Sequence, residues 1–285
     1  MVPISPGVTL HSYTAGDAGL FVNSYLVETR TGVVVVDTNL LNSDIAALES
    51  RVAAIRKPLR AVFVTHPHPD HFNGVFQLIR DRDVPVYATT GVAEVIRKIA
   101  DAKRAQWSPV YGVEWPTETA YPTVELADGQ RIDIDELSIT AHEVGPAESH
   151  ADSYLLARAD GGQPFAFIGD LAFHGTHPYT ADGHSRGWLA ALETLTAELD
   201  DLRLLLPGHG SPTGPEVFAD QGRYLLFYRE VVRRLADGAP SLSEQAKAEL
   251  EAELRRFLPD TPLIWMIQLG ADAVASELAA EAQSP

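Results

Sequence analysis

The sequence predicts an α/β fold in which two β-sheets pack together with helices outside them. Three observations carry this prediction. A group of β-rich runs opens the chain and gives way to strand–helix alternation. The same succession then repeats, and from Pro215 onward the pattern is helical throughout. At 285 residues the chain is long enough to bury a full core. Its 45% hydrophobic and 21% charged content is that of a folded globular protein.

The elements follow in order. Residues 20–28 and 33–37 are β-rich and divided by Thr31-Gly32, which reads as a hairpin. Ser43 or Asp44 can cap a helix running to Ile55, with Ile45, Leu48, Val52 and Ile55 at helical spacing. Residues 61–65 form a short buried strand. A helix from Asn73 to about Arg80, a strand at 84–88 and a helix from Val92 to about Ala105 come next. Trp107, Pro109, Tyr111, Trp115, Pro116, Tyr121 and Pro122 then read as an aromatic, proline-rich loop. Strands resume at 131–134, 137–142, 153–159 and 165–168. A helix spans 185–199, and a strand at 202–206 runs into Pro207-Gly208-His209-Gly210. The tail carries one helix with Leu225, Val232 and Leu235 on a face, a second over 243–257 and a third over 263–278.

The formal net charge of -17 argues against a nucleic-acid partner, whose phosphates most of the surface would repel. No cluster of Lys and Arg makes a local basic groove. There are no cysteines, so disulfides, thiol nucleophiles and thiolate metal sites are excluded together. A metal would have to sit on imidazole and carboxylate, and ten histidines are present. The first ten residues lack a basic start followed by an apolar run, and no stretch is long enough to span a bilayer. The expectation is a cytoplasmic protein with a small-molecule substrate, no nucleic-acid or membrane partner, and a possible homodimer.

The chemistry concentrates in His66-Pro67-His68-Pro69-Asp70-His71. Two histidines two apart on an extended segment point the same way and can grip one ion. Asp70 and His71 follow at the turn into a helix and can face a second. Pro67 and Pro69 keep the segment out of helical geometry until Asp70. Ligands on a loop at a strand's C-terminal end suit an open catalytic site. A lone histidine such as His11 is assigned no role.

This run resembles the signature of the metallo-β-lactamase superfamily, and the likeness extends in matching order from about Leu20 to His209. The resemblance implies an αββα four-layer sandwich of two mixed β-sheets flanked by helices. The catalytic domain would be residues 1–214, with a helical C-terminal extension over 215–285. Asp37, ending the run Gly32-Val-Val-Val-Val, resembles a supporting carboxylate that orients a ligand histidine. The implied first metal position is His66, His68 and His150, and the second is Asp70, His71 and His209, with Asp170 bridging. His142 competes with His150; the loop position before Asp152-Ser153-Tyr154 favours His150, although Ser149 stands where the family usually has Gly. Two Zn2+ per chain are implied, with Fe or Mn able to use the same ligands. They would share a hydroxide nucleophile, which Asp70 would orient or deprotonate.

Lack of cysteine sets aside the lactamase classes with a Cys ligand. The bridging Asp170 points instead to the glyoxalase II and lactonase branch, although the stretch that follows the Asp in glyoxalase II is missing here. The expected activity is therefore a zinc metallo-hydrolase cleaving a lactone, ester or thioester. Alternatives are a β-lactam hydrolase, a mononuclear-iron persulfide dioxygenase of the same superfamily, and a non-enzymatic binding module. For substrate contacts the sequence offers Trp107 and Tyr111 (with Trp115 and Tyr121) in the aromatic loop. It also offers His174, His177, Tyr179 and His184 in the loop leaving Asp170.

Overall fold

The computed structural model describes residues 1–283 of the chain. Seven strands form the first sheet, in the order β1 (Val2–Ser5), β2 (Val8–Thr14), β3 (Asn23–Glu28), β4 (Val33–Val36), β5 (Leu59–Phe63), β6 (Val86–Thr89) and β7 (Val124–Leu126). The first four pair antiparallel and β4 to β7 pair parallel. The second sheet runs β12 (Leu205–Pro207), β11 (Phe165–Gly169), β10 (Asp152–Ala159), β9 (Leu137–Gly145), β8 (Arg131–Ile134). It is antiparallel except for the parallel β11–β12 pair. β1, β2 and β7 had no counterpart in the sequence-based reading.

Val33–Val36 shows how residues become layers. Side chains alternate across a strand, so Val34 and Val36 enter the core between the sheets while Val33 and Val35 face the helices. All four are fully buried, as a strand covered on both faces requires. Between the sheets, Tyr25, Ala61 and Phe63 meet Leu155, Phe165, Phe167 and Leu206. Outside the first sheet lie α1 (Asn42–Ile55), α2 (Pro69–Phe72), α3 (Val75–Ile79) and α4 (Thr90–Tyr111), through Leu48, Val52, Phe72, Leu78, Val92 and Ile96. Outside the second lie α5 (Ser185–Glu198) and the start of α6 (Glu216–Ala236), through Trp188, Leu192, Leu195, Val217, Phe218 and Leu225. The result is the four-layer αββα sandwich.

Beyond it, α6 joins α7 (Glu244–Phe257), α8 (Trp265–Leu269) and α9 (Ala271–Gln283) around a separate apolar cluster that includes Tyr228, Leu250, Leu254, Ile267 and Val274. Ser284 and Pro285, the end of the expected extension, lie outside the described residues. Among the described residues no helix is long and apolar enough to cross a membrane.

Two expectations are corrected. The helix expected to end near Ala105 continues to Tyr111, so Trp107, Pro109 and Tyr111 are helical rather than loop. Pro109 lies in the last turn, where the helix is ending, and Trp107 and Tyr111 stand four apart on one face with ring centroids 6.4 Å apart. The helix expected over 73–80 is the shorter α3, Val75–Ile79, and a separate helix not expected from the sequence, α2, precedes it over Pro69–Phe72, the two parted at Asn73-Gly74. A Cβ at Gly74 would run into the Thr38 carbonyl.

Candidate metal centre

The site sits where strands of both sheets end. β5 delivers Thr65 and the histidine run; β11 delivers Asp170; β12 delivers His209. Asp37, just past β4, holds this edge together. Its carboxylate accepts from the Thr65 backbone N–H (2.9 Å) and hydroxyl (2.8 Å) and from His71 Nδ1 (2.8 Å). Gly208 is required by close approach, because a Cβ there would strike the Asp170 carboxylate and the His71 ring.

The ligand atoms form two groups, each within 4.8 Å: His66, His68, Glu148 and Asp170, and Asp70, His71 and His209. Glu148 Oε2 lies 3.1 Å from His68 Nδ1 and 3.8 Å from His66 Nε2. In the second group His209 Nε2 is 3.2 Å and His71 Nε2 3.5 Å from Asp70 Oδ2. Asp170 touches both groups: Oδ2 is 3.8 Å from His66 and 3.3 Å from His209, and Oδ1 is 3.5 Å from His71.

The hydrogen-bond network fixes which nitrogen of each imidazole carries the proton. The Thr65 hydroxyl already donates to Asp37, so His66 Nδ1 must donate to it, at 3.1 Å. His71 Nδ1 donates to Asp37, His209 Nδ1 to the Leu20 carbonyl at 2.8 Å, and His68 Nε2 to Asp182 at 3.2 Å. With these outer nitrogens engaged, the other nitrogen of each imidazole, His66 Nε2, His68 Nδ1, His71 Nε2 and His209 Nε2, faces the cluster. The consequence is a set of buried atoms without hydrogen-bond partners: His66 Nε2, His71 Nε2, both Glu148 oxygens and Asp170 Oδ1. Buried polar groups are rarely left unpaired, and a carboxylate with no donor is the costliest case. Divalent cations fit this donor set of four imidazoles and three carboxylates.

Electrostatics agree. Burial raises the Glu148 carboxyl to about 8, against the pull of His68. Burial also lowers His66, and the neighbouring His71 lowers it further. His71 and His68 are raised despite burial, the first by Asp170, Asp70 and Asp37 and the second by Glu148 and Asp182. His209 is raised to about 10 against burial, chiefly by Asp170. The carboxylates thus draw positive charge onto the imidazoles, and cations binding there would displace those protons.

Six of the seven residues assigned to the metals from sequence are brought together; His150 is not. Its side chain is 45% exposed and its Nδ1 lies 2.7 Å from His184 Nε2. Glu148, buried to 0% side-chain exposure, takes the place assigned to it. The cause is the turn between β9 and β10. Asp152 accepts the backbone N–H of Ala147 and Ser149 and the Ser149 hydroxyl, at 2.8–3.1 Å. That clamp aims Glu148 inward and carries His150 outward. His142 is no rival, since it stacks on Tyr154 (4.6 Å) beside Asp128.

Above the ligands opens a cleft of about 550 Å³, counted to its open mouth. Trp107, Tyr111 and Tyr179 line it as expected, together with Trp115, Leu20, Leu40 and Phe173. Sequence reasoning missed Lys103 from α4 and Trp265, Met266 and Leu269 from α8. His174 and His177 do not reach the cleft. His174 is exposed and bonded to the Ser211 carbonyl, whereas His177 is buried against the Tyr224 hydroxyl at 2.9 Å. Tyr121 does not line the cleft either; it is 37% exposed.

A family model described as the metallo-beta-lactamase superfamily matches residues 17–209. No curated protein matches the chain. Among solved structures, a beta-lactamase domain protein from Burkholderia ambifaria is similar with a TM-score of 0.65 and 19% identity, covering 98% of this chain and 86% of that one. A metallo-beta-lactamase from Pontibacter korlensis is similar with a TM-score of 0.60 and 19% identity, covering 79% and 97%. At that identity the structures speak for the fold alone. Together with the match to the family model, which takes in every residue of the two ligand groups, they establish that the chain belongs to the metallo-beta-lactamase superfamily.

Proposed function

We propose that the chain is a zinc-dependent hydrolase with a binuclear centre that cleaves an ester-type bond in a small molecule, a lactone above all. The observation that carries the reading is the pair of buried donor groups sharing Asp170 at the floor of an open apolar cleft. Two divalent cations bound there would polarise the substrate's carbonyl oxygen and lower the pKa of water. The chain's own part is positional. Asp37, Thr65, Asp182 and the Leu20 carbonyl hold the four imidazoles in one tautomer. Asp70 Oδ2 lies beside both His71 and His209, at the floor of the cleft, where it can orient the attacking water and take its proton. The Tyr179 hydroxyl donates to Asp182 at 3.0 Å, so this residue offers the substrate its ring rather than its hydroxyl.

The test is turnover of a lactone, thioester and β-lactam panel by zinc-loaded protein. Lactone or ester hydrolysis that is lost on chelation and restored by zinc is expected. Cleavage of nitrocefin alone would move the assignment to β-lactams, and no turnover across the panel would overturn it. One observation favours a second reading. His66, His68 and Glu148 make a two-histidine, one-carboxylate set, the kind that binds non-haem iron in oxygenases. About one iron per purified chain, with persulfide oxidation, would favour the mononuclear dioxygenase; two zincs favour the hydrolase.

A further inference from the structure

The cleft above the metal ligands has an uneven chemistry. Its floor is polar, but its walls are aromatic and aliphatic and come from two distant parts of the chain. Trp107 and Tyr111 stand on one face of α4, and Trp265, Met266 and Leu269 come from α8 beyond the catalytic sandwich. Trp265 and Leu269 remain 43% and 38% exposed at the mouth, a large apolar surface left in water beside an apolar cleft. Apart from the imidazoles at the floor, the lining residues include one basic side chain, Lys103, and it is already engaged. Its Nζ lies 3.7 Å from Asp182 Oδ1 and 5.6 Å over the Tyr179 ring. Asp182 in turn bonds the Tyr179 hydroxyl at 3.0 Å and His68 Nε2 at 3.2 Å. No wall residue is left to pair with an anionic substituent of a substrate.

Resting on the hydrolase reading, we propose that the cleft selects substrates with an uncharged, extended apolar acyl group, and that Trp265 and Leu269 of α8 are specificity-determining residues of the active site. The acyl chain lies between α4 and α8 while its carbonyl reaches the floor, so the helical extension completes the substrate site instead of merely packing on the sandwich. Each methylene taken from water into such a wall multiplies affinity by roughly fourfold.

The experiment is a kcat/KM series on neutral p-nitrophenyl esters from acetyl to octanoyl with the zinc-loaded full chain. The expected result is a rise of about fourfold per methylene, carried by KM rather than kcat. Trp265→Ala and Leu269→Ser are expected to lose at least tenfold more on the octanoyl ester than on the acetyl ester. Their folding is checked by circular dichroism and metal content. An octanoyl-length ester ending in a carboxylate is expected to be at least tenfold poorer than its neutral counterpart. A flat series, equal losses on short and long esters, or preference for the carboxylate ester would overturn the proposal. Binding of 1-octanol against 1-butanol, followed by tryptophan fluorescence, separates the two readings. If neither these esters nor the lactone, thioester and β-lactam panel is hydrolysed, yet octanol binds tighter and Trp265→Ala abolishes the difference, the hydrolase assignment fails while the acyl site stands. If esters are hydrolysed but octanol shows no advantage, the acyl site fails alone.

Discussion

Glu148→Gln separates a metal ligand from a merely buried acid, because the two roles predict opposite signs in the loaded and metal-free protein. The substitution keeps the shape and removes one negative charge. In the metal-free chain burial raises the Glu148 carboxyl to about 8, so near pH 7 it is already largely protonated, and exchanging it for the neutral amide is expected to leave stability unchanged or slightly raised. In the loaded chain Glu148 completes a set with His66, His68 and Asp170 whose ligand atoms all lie within 4.8 Å. Losing the anion should cost at least the ~10–100-fold in affinity that supporting residues typically cost, or about 1.4–2.7 kcal/mol. The assay is metal content after gel filtration, paired with thermal unfolding with and without chelator. The expected outcome is a fall from two metals per chain toward one, a smaller metal-dependent rise in melting temperature, and no loss of stability in the chelated form. His150→Ala should change none of these. Two tightly held metals in Glu148→Gln, or loss of one in His150→Ala, would refute the reasoning.

Other consequences are equally direct. Asp37→Asn keeps the size of a side chain that accepts three hydrogen bonds, from Thr65 twice and from His71, but weakens its hold on the His71 tautomer. Metal affinity should drop roughly 10–100-fold by competition titration, with little change in the fold by circular dichroism. Burial lowers His177 from 6.5 to about 4, so its neutral form is the one the fold accepts. Between those pH values the unfolded chain binds the extra proton; stability from this residue is present above 6.5 and lost as pH falls toward 4. The stability of the wild type relative to His177→Gln should therefore fall by about 1–2 kcal/mol from pH 7 to pH 4.5 in urea titrations, after allowance for solvent screening.

The parts of the site legible in the sequence are those that local geometry fixes. Residues 66–71 follow a buried strand, and two prolines restrict their backbone, so spacing translates into direction. Asp170 and His209, one and two residues past buried strand ends, also fall in the cluster. Glu148 was hidden by a different kind of fact. Which residue of the β9–β10 turn points inward is decided by the Asp152 clamp on Ala147 and Ser149, and no periodicity reports it. Scanning for imidazole then favours His150, two residues away and facing solvent. The sandwich was legible through its runs of valine and alternating strands, but not the edge strands β1 and β7, which are three or four residues long and only partly buried. The cleft wall from α8 was beyond reach for a third reason. Trp265 and Leu269 lie about 95 or more residues after Asp170 in the chain, and only packing of the helical extension brings them over it.

Anomalous diffraction from crystals of the zinc-loaded protein tests the central claim most directly. The account predicts two peaks per chain roughly 3.5–4 Å apart, one bounded by His66, His68, Glu148 and Asp170 and the other by Asp70, His71, His209 and Asp170. A first peak coordinated by His150, or no ordered metal within reach of Glu148, would contradict it.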